Sequence, residues 1–433
     1  MIRAEYNNLI KWKNSKNRKP LIIRGVRQVG KTWLMKAFGE KEYKQSVYIN
    51  FESNNHLKNL FEGDFDIKRI IAGLQIESGM IIKPGNTLII FDEIQEAPRA
   101  LTSLKYFYES APGYHLIAAG SMLGVALHKD TSFPVGKVLF LDLNPLNYIE
   151  FLHALGENSL ISLLESNDWS LIKTFNQKFI HLLRLYYFIG GMPEAVWAYC
   201  QNNNFNEVRE IQKRILIAYE QDFSKHAPTD IVPRIRMVWN SIPAQLAKEN
   251  RKFIYGVLKE GARAKEFEMA ITWLTDCGLV HKVNRAKKPG IPLNAYEDFS
   301  TFKLFLVDLG LMNAMGNIDV KVLIDGNAIF QEFKGAITEQ YVLQQIVSEK
   351  QFSVYYWSAE KSTAEVDFLV QYKDRIIPVE VKAKENLQAK SLKTYCQKYQ
   401  PKIAIRTSMS DFRKENWLTN LPLYAISELK NIE

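Results

Sequence analysis

An α/β fold with a parallel sheet is predicted for the first 150 residues, and two observations predict it. Short, uninterrupted apolar runs alternate with amphipathic stretches. The runs are Leu21-Ile22-Ile23, Val47-Tyr48-Ile49-Asn50-Phe51, Leu88-Ile89-Ile90-Phe91, His115-Leu116-Ile117-Ala118-Ala119 and Val138-Leu139-Phe140-Leu141. Such runs suit strands buried on both faces, and strands alternating with helices make a parallel sheet. The first run also leads directly into Gly25-Val26-Arg27-Gln28-Val29-Gly30-Lys31-Thr32, after which a helical pattern runs from Thr32 to Phe38.

That octapeptide is a GxxxxGK[ST] sequence in strand–loop–helix context, the phosphate-binding loop of a P-loop NTPase. The glycines permit a tight loop whose backbone N–H groups face a phosphate. Lys31 supplies positive charge to the β and γ phosphates, Thr32 supplies a hydroxyl for Mg²⁺, and the helix start adds its positive end. ATP and Mg²⁺ are therefore the expected ligands. The third apolar run ends in Asp92-Glu93. Asp92 is placed to hold Mg²⁺ through its water shell, and Glu93 to orient or deprotonate the attacking water. The same letters would also arise from a strand ending in a solvated acidic turn. The fourth run ends in Gly120-Ser121, where Ser121 is either a γ-phosphate sensor or a simple turn residue. Arg24, Arg27, Arg99 and Lys137 are candidate phosphate cations among which the sequence does not choose.

Beyond this core, residues 151–230 carry long Leu/Ile/Phe/Tyr patterns at helical spacing, interrupted by Gly190-Gly191-Met192-Pro193, and read as a helical lid. Residues 231–320 read as a winged helix. Its helices are expected over Ile235–Lys248, Phe253–Glu260 and Ala264–Gly278, and its strands over Leu279–Val283 and Thr301–Val307. A wing with Arg285, Lys287 and Lys288 is expected at Asn284–Leu293. Residues 321–433 open with an amphipathic helix, Gln331–Ser348, followed by strands over Phe352–Trp357, Val366–Tyr372 and Ile376–Val381.

In the last two of these strands, Glu380 and Lys382 are two apart and share a face, and a hairpin would bring Asp367 alongside. Two carboxylates and a lysine in a D…ExK pattern can hold Mg²⁺ and orient a water. Glu339 could add a further carboxylate. A solvent-facing strand of alternating Val and charged residues would give the same letters.

Composition narrows the remaining classes. The 433 residues include three cysteines, Cys200, Cys277 and Cys396, far apart and without a CxxC pair, which argues against a zinc site and a disulfide framework. No apolar stretch is long enough to span a bilayer, and no signal-peptide core precedes Leu21, so a cytoplasmic location is expected. The net charge of +9 permits an anionic partner such as DNA, and equally a solvated lysine-rich surface.

Taken together, the chain resembles prokaryotic AAA-type ATPases that join an N-terminal P-loop domain to a C-terminal restriction-endonuclease-like domain. The resemblance rests on Gly25–Thr32, Phe91-Asp92-Glu93-Ile94-Gln95, Ala119-Gly120-Ser121, Leu143-Asn144-Pro145-Leu146 with Glu150-Phe151, Gly190-Gly191-Met192-Pro193-Glu194, Phe302-Lys303-Leu304 with Asp308-Leu309-Gly310-Leu311, Glu339, and the Asp367/Glu380/Lys382 set. It implies a winged-helix segment between the two parts. Gly136-Lys137 stands where relatives usually carry Gly-Arg, and lysine lacks the bidentate geometry of arginine. The expected activity is Mg²⁺-dependent ATP hydrolysis coupled to DNA binding. Its cycle is expected to move lid and winged helix relative to the C-terminal domain. A slow nucleotide-gated switch acting on a protein partner and an ATP-regulated nuclease are the rivals, and a second copy of the chain is a further candidate partner.

Overall fold

In the computed structural model, residues 2–121, 133–248, 252–325, 331–360, 362–383 and 389–432 are described. They form two compact units, Met1–Asn144 with Asp276–Gly278, and Pro145–Thr275 with Leu279–Glu433.

The first unit is the predicted parallel sheet. Its strands are β1 (Leu21–Arg24), β2 (Gln45–Asn50), β3 (Thr87–Asp92), β4 (His115–Gly120) and β5 (Leu139–Asp142). They lie in the order β2-β3-β4-β1-β5, every neighbouring pair parallel. Helices α1 (Tyr6–Lys13), α2 (Lys31–Glu42), α3 (Ile67–Ser78) and α4 (Pro98–Ser110) accompany them. Every residue of β3 and β4 is buried, which is why both read as unbroken apolar runs. Phe91 sits in a ring cluster with Phe51, Phe61 and Phe107. Because all five strands run the same way, their C-terminal ends share one edge, where ligands of open α/β sheets bind.

The second unit begins with α5 (Tyr148–Ala154), α6 (Asn158–Ser166), α7 (Trp169–Thr174), α8 (Asn176–Ile189), α9 (Pro193–Asn202), α10 (Phe205–His226), α11 (Val232–Leu246) and α12 (Ala264–Asp276). Strands β6 (Val280–Ala286) and β7 (Glu297–Leu306) follow, then α13 (Leu309–Met315), α14 (Val320–Asp325) and α15 (Gln331–Ser348). The chain continues through β8 (Phe352–Ser358), β9 (Glu365–Tyr372), β10 (Arg375–Val381), α16 (Lys390–Tyr399), β11 (Ile405–Ser408), β12 (Arg413–Lys414) and β13 (Thr419–Pro422). The strands make one mixed sheet in the order β12-β13-β11-β10-β9-β8-β6-β7.

Two expectations for residues 231–320 are corrected. The segment Phe253–Glu260 is not an α-helix and holds only a 3₁₀ turn at Tyr255–Val257. The Phe253 N–H instead bonds the Phe302 carbonyl of β7, and the Phe253 and Phe302 rings stack, so this stretch is spent on the sheet. The start of the expected wing, Asn284 to Ala286, is strand. It pairs with β7 on one side, and Arg285 pairs in parallel with Tyr356 of β8 on the other. The hairpin is thus part of the C-terminal sheet.

Residues expected as lid, winged-helix segment and C-terminal domain pack as one compact unit, and a buried polar network shows how. Asp308 accepts bonds from Gly191 N (2.6 Å), Leu311 N (3.0 Å) and Gln344 Nε2 (3.0 Å). Gln344 Nε2 also donates to the Tyr186 hydroxyl (3.0 Å), which donates to the Leu146 carbonyl (2.5 Å). Burial raises the Asp308 carboxyl above its ordinary range, and these donors oppose the rise. Side chains do not fit at the Gly-Gly pair. A Cβ on Gly190 would lie 2.4 Å from Asp308 Oδ1, and one on Gly191 would lie 2.1 Å from the Leu146 carbonyl. A cycle that moved these segments apart would strand buried donors, which is costly.

Candidate nucleotide site and C-terminal carboxylate cluster

The phosphate loop spans residues 25–30, between β1 and α2. Gly30 caps α2 at φ 93°, a left-handed conformation that favours glycine. Gly25 is crowded, since a Cβ there would lie 2.3 Å from the Leu143 carbonyl. Arg3, which the sequence does not single out, braces the loop by donating to the Val29 carbonyl at 3.0 Å and the Asn144 carbonyl at 2.5 Å. The first turn of α2 carries no acidic residue of its own, and its positive end faces the loop.

Lys31 is buried, and its ammonium donates to the Gly25 and Val26 carbonyls at 2.8 and 2.9 Å. Burial pushes it down to about 8, against the pull of Glu93 and Asp92. Thr32 Oγ1 donates to Asp92 Oδ2 at 2.6 Å, and the Tyr48 hydroxyl donates to the same oxygen at 2.9 Å. A hydroxyl and a carboxylate oxygen in contact are hard donors of the kind Mg²⁺ takes beside a phosphate, so Thr32 and Asp92 fit that ion. Burial and the neighbouring Asp92 raise the Tyr48 hydroxyl to about 12, keeping it a donor.

Glu93 follows Asp92 in a left-handed conformation, φ 49° and ψ 46°, rare for a residue with a side chain. Its Oε2 accepts from Gln95 Nε2 at 2.6 Å and Ser121 Oγ at 3.3 Å. Both donors fall on one oxygen of the carboxylate. Ser121 thus meets Glu93 directly. Gln95 was legible only as part of a motif, and Tyr48 only as part of a strand.

The four candidate cations separate clearly. Lys137 precedes β5, which runs parallel to β1, so it lies at the sheet edge opposite the loop, paired with Glu109 at 2.8 Å. Arg99 donates to the Phe61 and Gly63 carbonyls. Arg24 holds Asp142 with two bonds, at 2.7 and 2.9 Å, and stacks on Phe140. Arg27 lies inside the loop, 4.0 Å from Glu52, and its charge acts on Lys31.

In the second unit, the β9–β10 hairpin brings Asp367 beside Glu380, and Asp367 Oδ2 accepts the Val381 N–H at 2.7 Å. Lys382 Nζ lies 2.6 Å from Glu380 Oε1. Burial and Asp367 raise the Glu380 carboxyl to about 7, while Lys382 and Lys303 pull it down. Glu339 is on α15 and faces Lys303, a residue that sequence reasoning placed only in a motif. Among the described residues, no three His, Cys, Asp or Glu side chains are grouped as metal ligands.

Comparison with known proteins divides the chain into three matched stretches. Residues 17–152 match the family described as AAA domain. Residues 180–321 and 334–426 match two domains of unknown function, DUF8612 and DUF4143. Among curated proteins, nothing matches. A solved Walker-type ATPase of Pyrococcus abyssi is similar at 15% identity and TM-score 0.46, over 73% of this chain and 95% of that one. The Aeropyrum pernix ORC1 protein, solved in complex with DNA, is similar at 14% identity and TM-score 0.28, over 73% of this chain and 92% of that one. The Cdc6p structure from Pyrobaculum aerophilum gives 14% identity and TM-score 0.25, over 75% and 95% of the two chains.

The AAA-domain match covers the loop, Asp92, Glu93 and Ser121. The protein carries an AAA-type P-loop ATPase domain that binds and hydrolyses nucleotide. No helix among the described residues is long and apolar enough to cross a membrane.

Proposed function

We propose that the chain is a Mg²⁺-dependent ATPase whose nucleotide state governs DNA binding through residues 151–433, in which 151–230 act as lid, 231–320 as a winged-helix segment and 321–433 as a restriction-endonuclease-like domain. One observation carries the catalytic part. Thr32 and Asp92 meet at 2.6 Å, and Glu93, held by Gln95 and Ser121, emerges from the same end of the sheet. Lys31 and the backbone of residues 25–30 bind the phosphates, with Arg27 as the cation inside the loop. Thr32 and Asp92 would hold Mg²⁺, which would supply charge neutralisation at the phosphates. Glu93 orients the attacking water and takes its proton.

DNA is supported by the net charge of +9 and by Lys287 and Lys288, which are exposed just after β6. A second reading, a switch acting on a protein partner, is favoured by the exposed side of α12. It carries Glu266 and Glu268 against Lys265, a poor surface for phosphates.

The test is ATP turnover with Mg²⁺, alone and with double- or single-stranded DNA, in the natural protein and in Lys31→Ala and Glu93→Gln. DNA-stimulated turnover that needs Lys31 supports the first reading. DNA-indifferent turnover moves the search to protein partners. Turnover that survives Glu93→Gln removes Glu93 as the base.

A further inference from the structure

The mixed sheet brings to the C-terminal carboxylates a cation that the D…ExK pattern does not contain. Lys303, on β7, is fully buried. Its Nζ lies 2.5 Å from Glu365 Oε1, 3.6 Å from Glu339 Oε2 and 4.9 Å from the centre of the Tyr356 ring. The short contact to Glu365 is an ion pair by proximity and not an aligned hydrogen bond. Glu365 stands two residues before Asp367 on β9 and so shares its face. The charge of Lys303 also acts on Glu380.

These contacts decide whether a divalent cation fits. Mg²⁺ or Mn²⁺ needs carboxylate oxygens converging on one point, with waters completing an octahedron. Here Glu380 Oε1 faces the Lys382 ammonium while the buried Glu380 Oε2 accepts no hydrogen bond, Asp367 Oδ2 accepts a backbone N–H, and Glu339 and Glu365 face Lys303. Two ammonium groups already sit among four carboxylates. A buried ammonium is stable only beside such charge, so Glu365 and Glu339 hold Lys303 there by offsetting the desolvation that would otherwise expel it. Among the described residues no three of these acids converge as metal ligands, so the metal that the pattern implies does not fit this donor set.

We infer that Lys303 is the resident cation of this cluster, offsetting part of its carboxylate charge and making the joint between β7, β9 and α15 a metal-free one. The β6–β7 hairpin then belongs to the C-terminal sheet electrostatically as well as by pairing.

Two measurements on the full chain test this, both without nucleotide. The first is Mn²⁺ titration followed by paramagnetic resonance, in an Asp92→Asn background that removes the nucleotide-site ligand. No binding tighter than about 1 mM is expected with Lys303 intact. Submillimolar binding that Glu380→Gln abolishes would overturn the inference. The second is thermal unfolding of Lys303→Met, Glu365→Gln and the double variant. Lys303→Met is expected to lower Tm by about 5 °C or more. Adding Glu365→Gln is expected to restore much of that loss, because it removes the carboxylate left uncompensated. Additive losses would also overturn the inference. Because neither readout involves ATP, failure here is distinct from failure of the ATPase assignment.

Discussion

Lys31 offers the sharpest test of the nucleotide site, through pH. In the free loop its ammonium is buried, donates only to two carbonyls, and is pushed down to about 8 from 10.5. That gap is worth roughly 3 kcal/mol at about 1.4 kcal/mol per pH unit. An incoming polyphosphate places anionic oxygens against the same atom, which restores the charged form. Above pH 8, binding must therefore take up a proton. At pH 8.5 about three-quarters of free sites are neutral, so ATP binding should absorb about 0.7 proton, and affinity should fall about tenfold between pH 8 and 9.5. The assay is calorimetry of ATP binding to Glu93→Gln at pH 8.5, in two buffers of different ionisation enthalpy. The sign also shows in stability. Between pH 8 and 10.5 the unfolded chain keeps the proton that the folded loop has lost. The nucleotide-free protein should thus gain stability with rising pH relative to Lys31→Met. Zero proton uptake, with affinity flat across this range, would refute the reasoning.

Tyr48→Phe removes a hydrogen bond to the Asp92 carboxylate worth about 1.5 kcal/mol, so the Mg²⁺ concentration for half-maximal turnover should rise about tenfold; an unchanged Mg²⁺ curve would exclude a role for Tyr48 in positioning Asp92. Gln95→Met removes the shorter of the two bonds to Glu93 and should lower kcat about tenfold with ATP affinity unchanged, measured by single-turnover and binding assays. Asp308→Ala leaves buried donors at Gly191, Leu311 and Gln344, and should cost about 3 kcal/mol in denaturant unfolding while leaving nucleotide affinity intact; a loss below about 1 kcal/mol would show that the network is not the joint described.

How much of this was legible follows from burial. The central strands β3 and β4 were readable because both are covered on both faces, and apolar letters then run without a break, whereas edge strand β5 keeps apolar letters although Leu139 and Phe140 are exposed. The register of the five strands could not be read, yet the placement of Ser121 against Glu93 depends on it. Strand β11 escaped notice for the opposite reason. It reads Ile405-Arg406-Thr407-Ser408, polar in three of four residues, although all four are buried. Arg406 is held by Asn420 at 2.9 Å and Glu415 at 2.8 Å, so its polarity is satisfied inside the fold by partners 14 and 9 residues away. Helical letters at Phe253–Glu260 misled because Phe253 stacks on a strand residue far along the chain. Long-range partners of this kind leave no local period to read.

The two carboxylate sites show the same limit in their chemistry. Both place acids at or near strand ends, and from the letters alone both read as candidates for Mg²⁺. They differ in what faces the acids. At Asp92 the neighbours are a threonine and a tyrosine hydroxyl, neutral donors that a metal ion can displace or join. At Glu339, Glu365 and Glu380 the neighbours are ammonium groups, which offset part of the charge a metal would be drawn to. One of those ammonium groups comes from β7, well outside the D…ExK pattern. A short motif names the carboxylates, but the counterion decides whether they bind a metal, and here the counterion is set by tertiary pairing of the β6–β7 hairpin with β8.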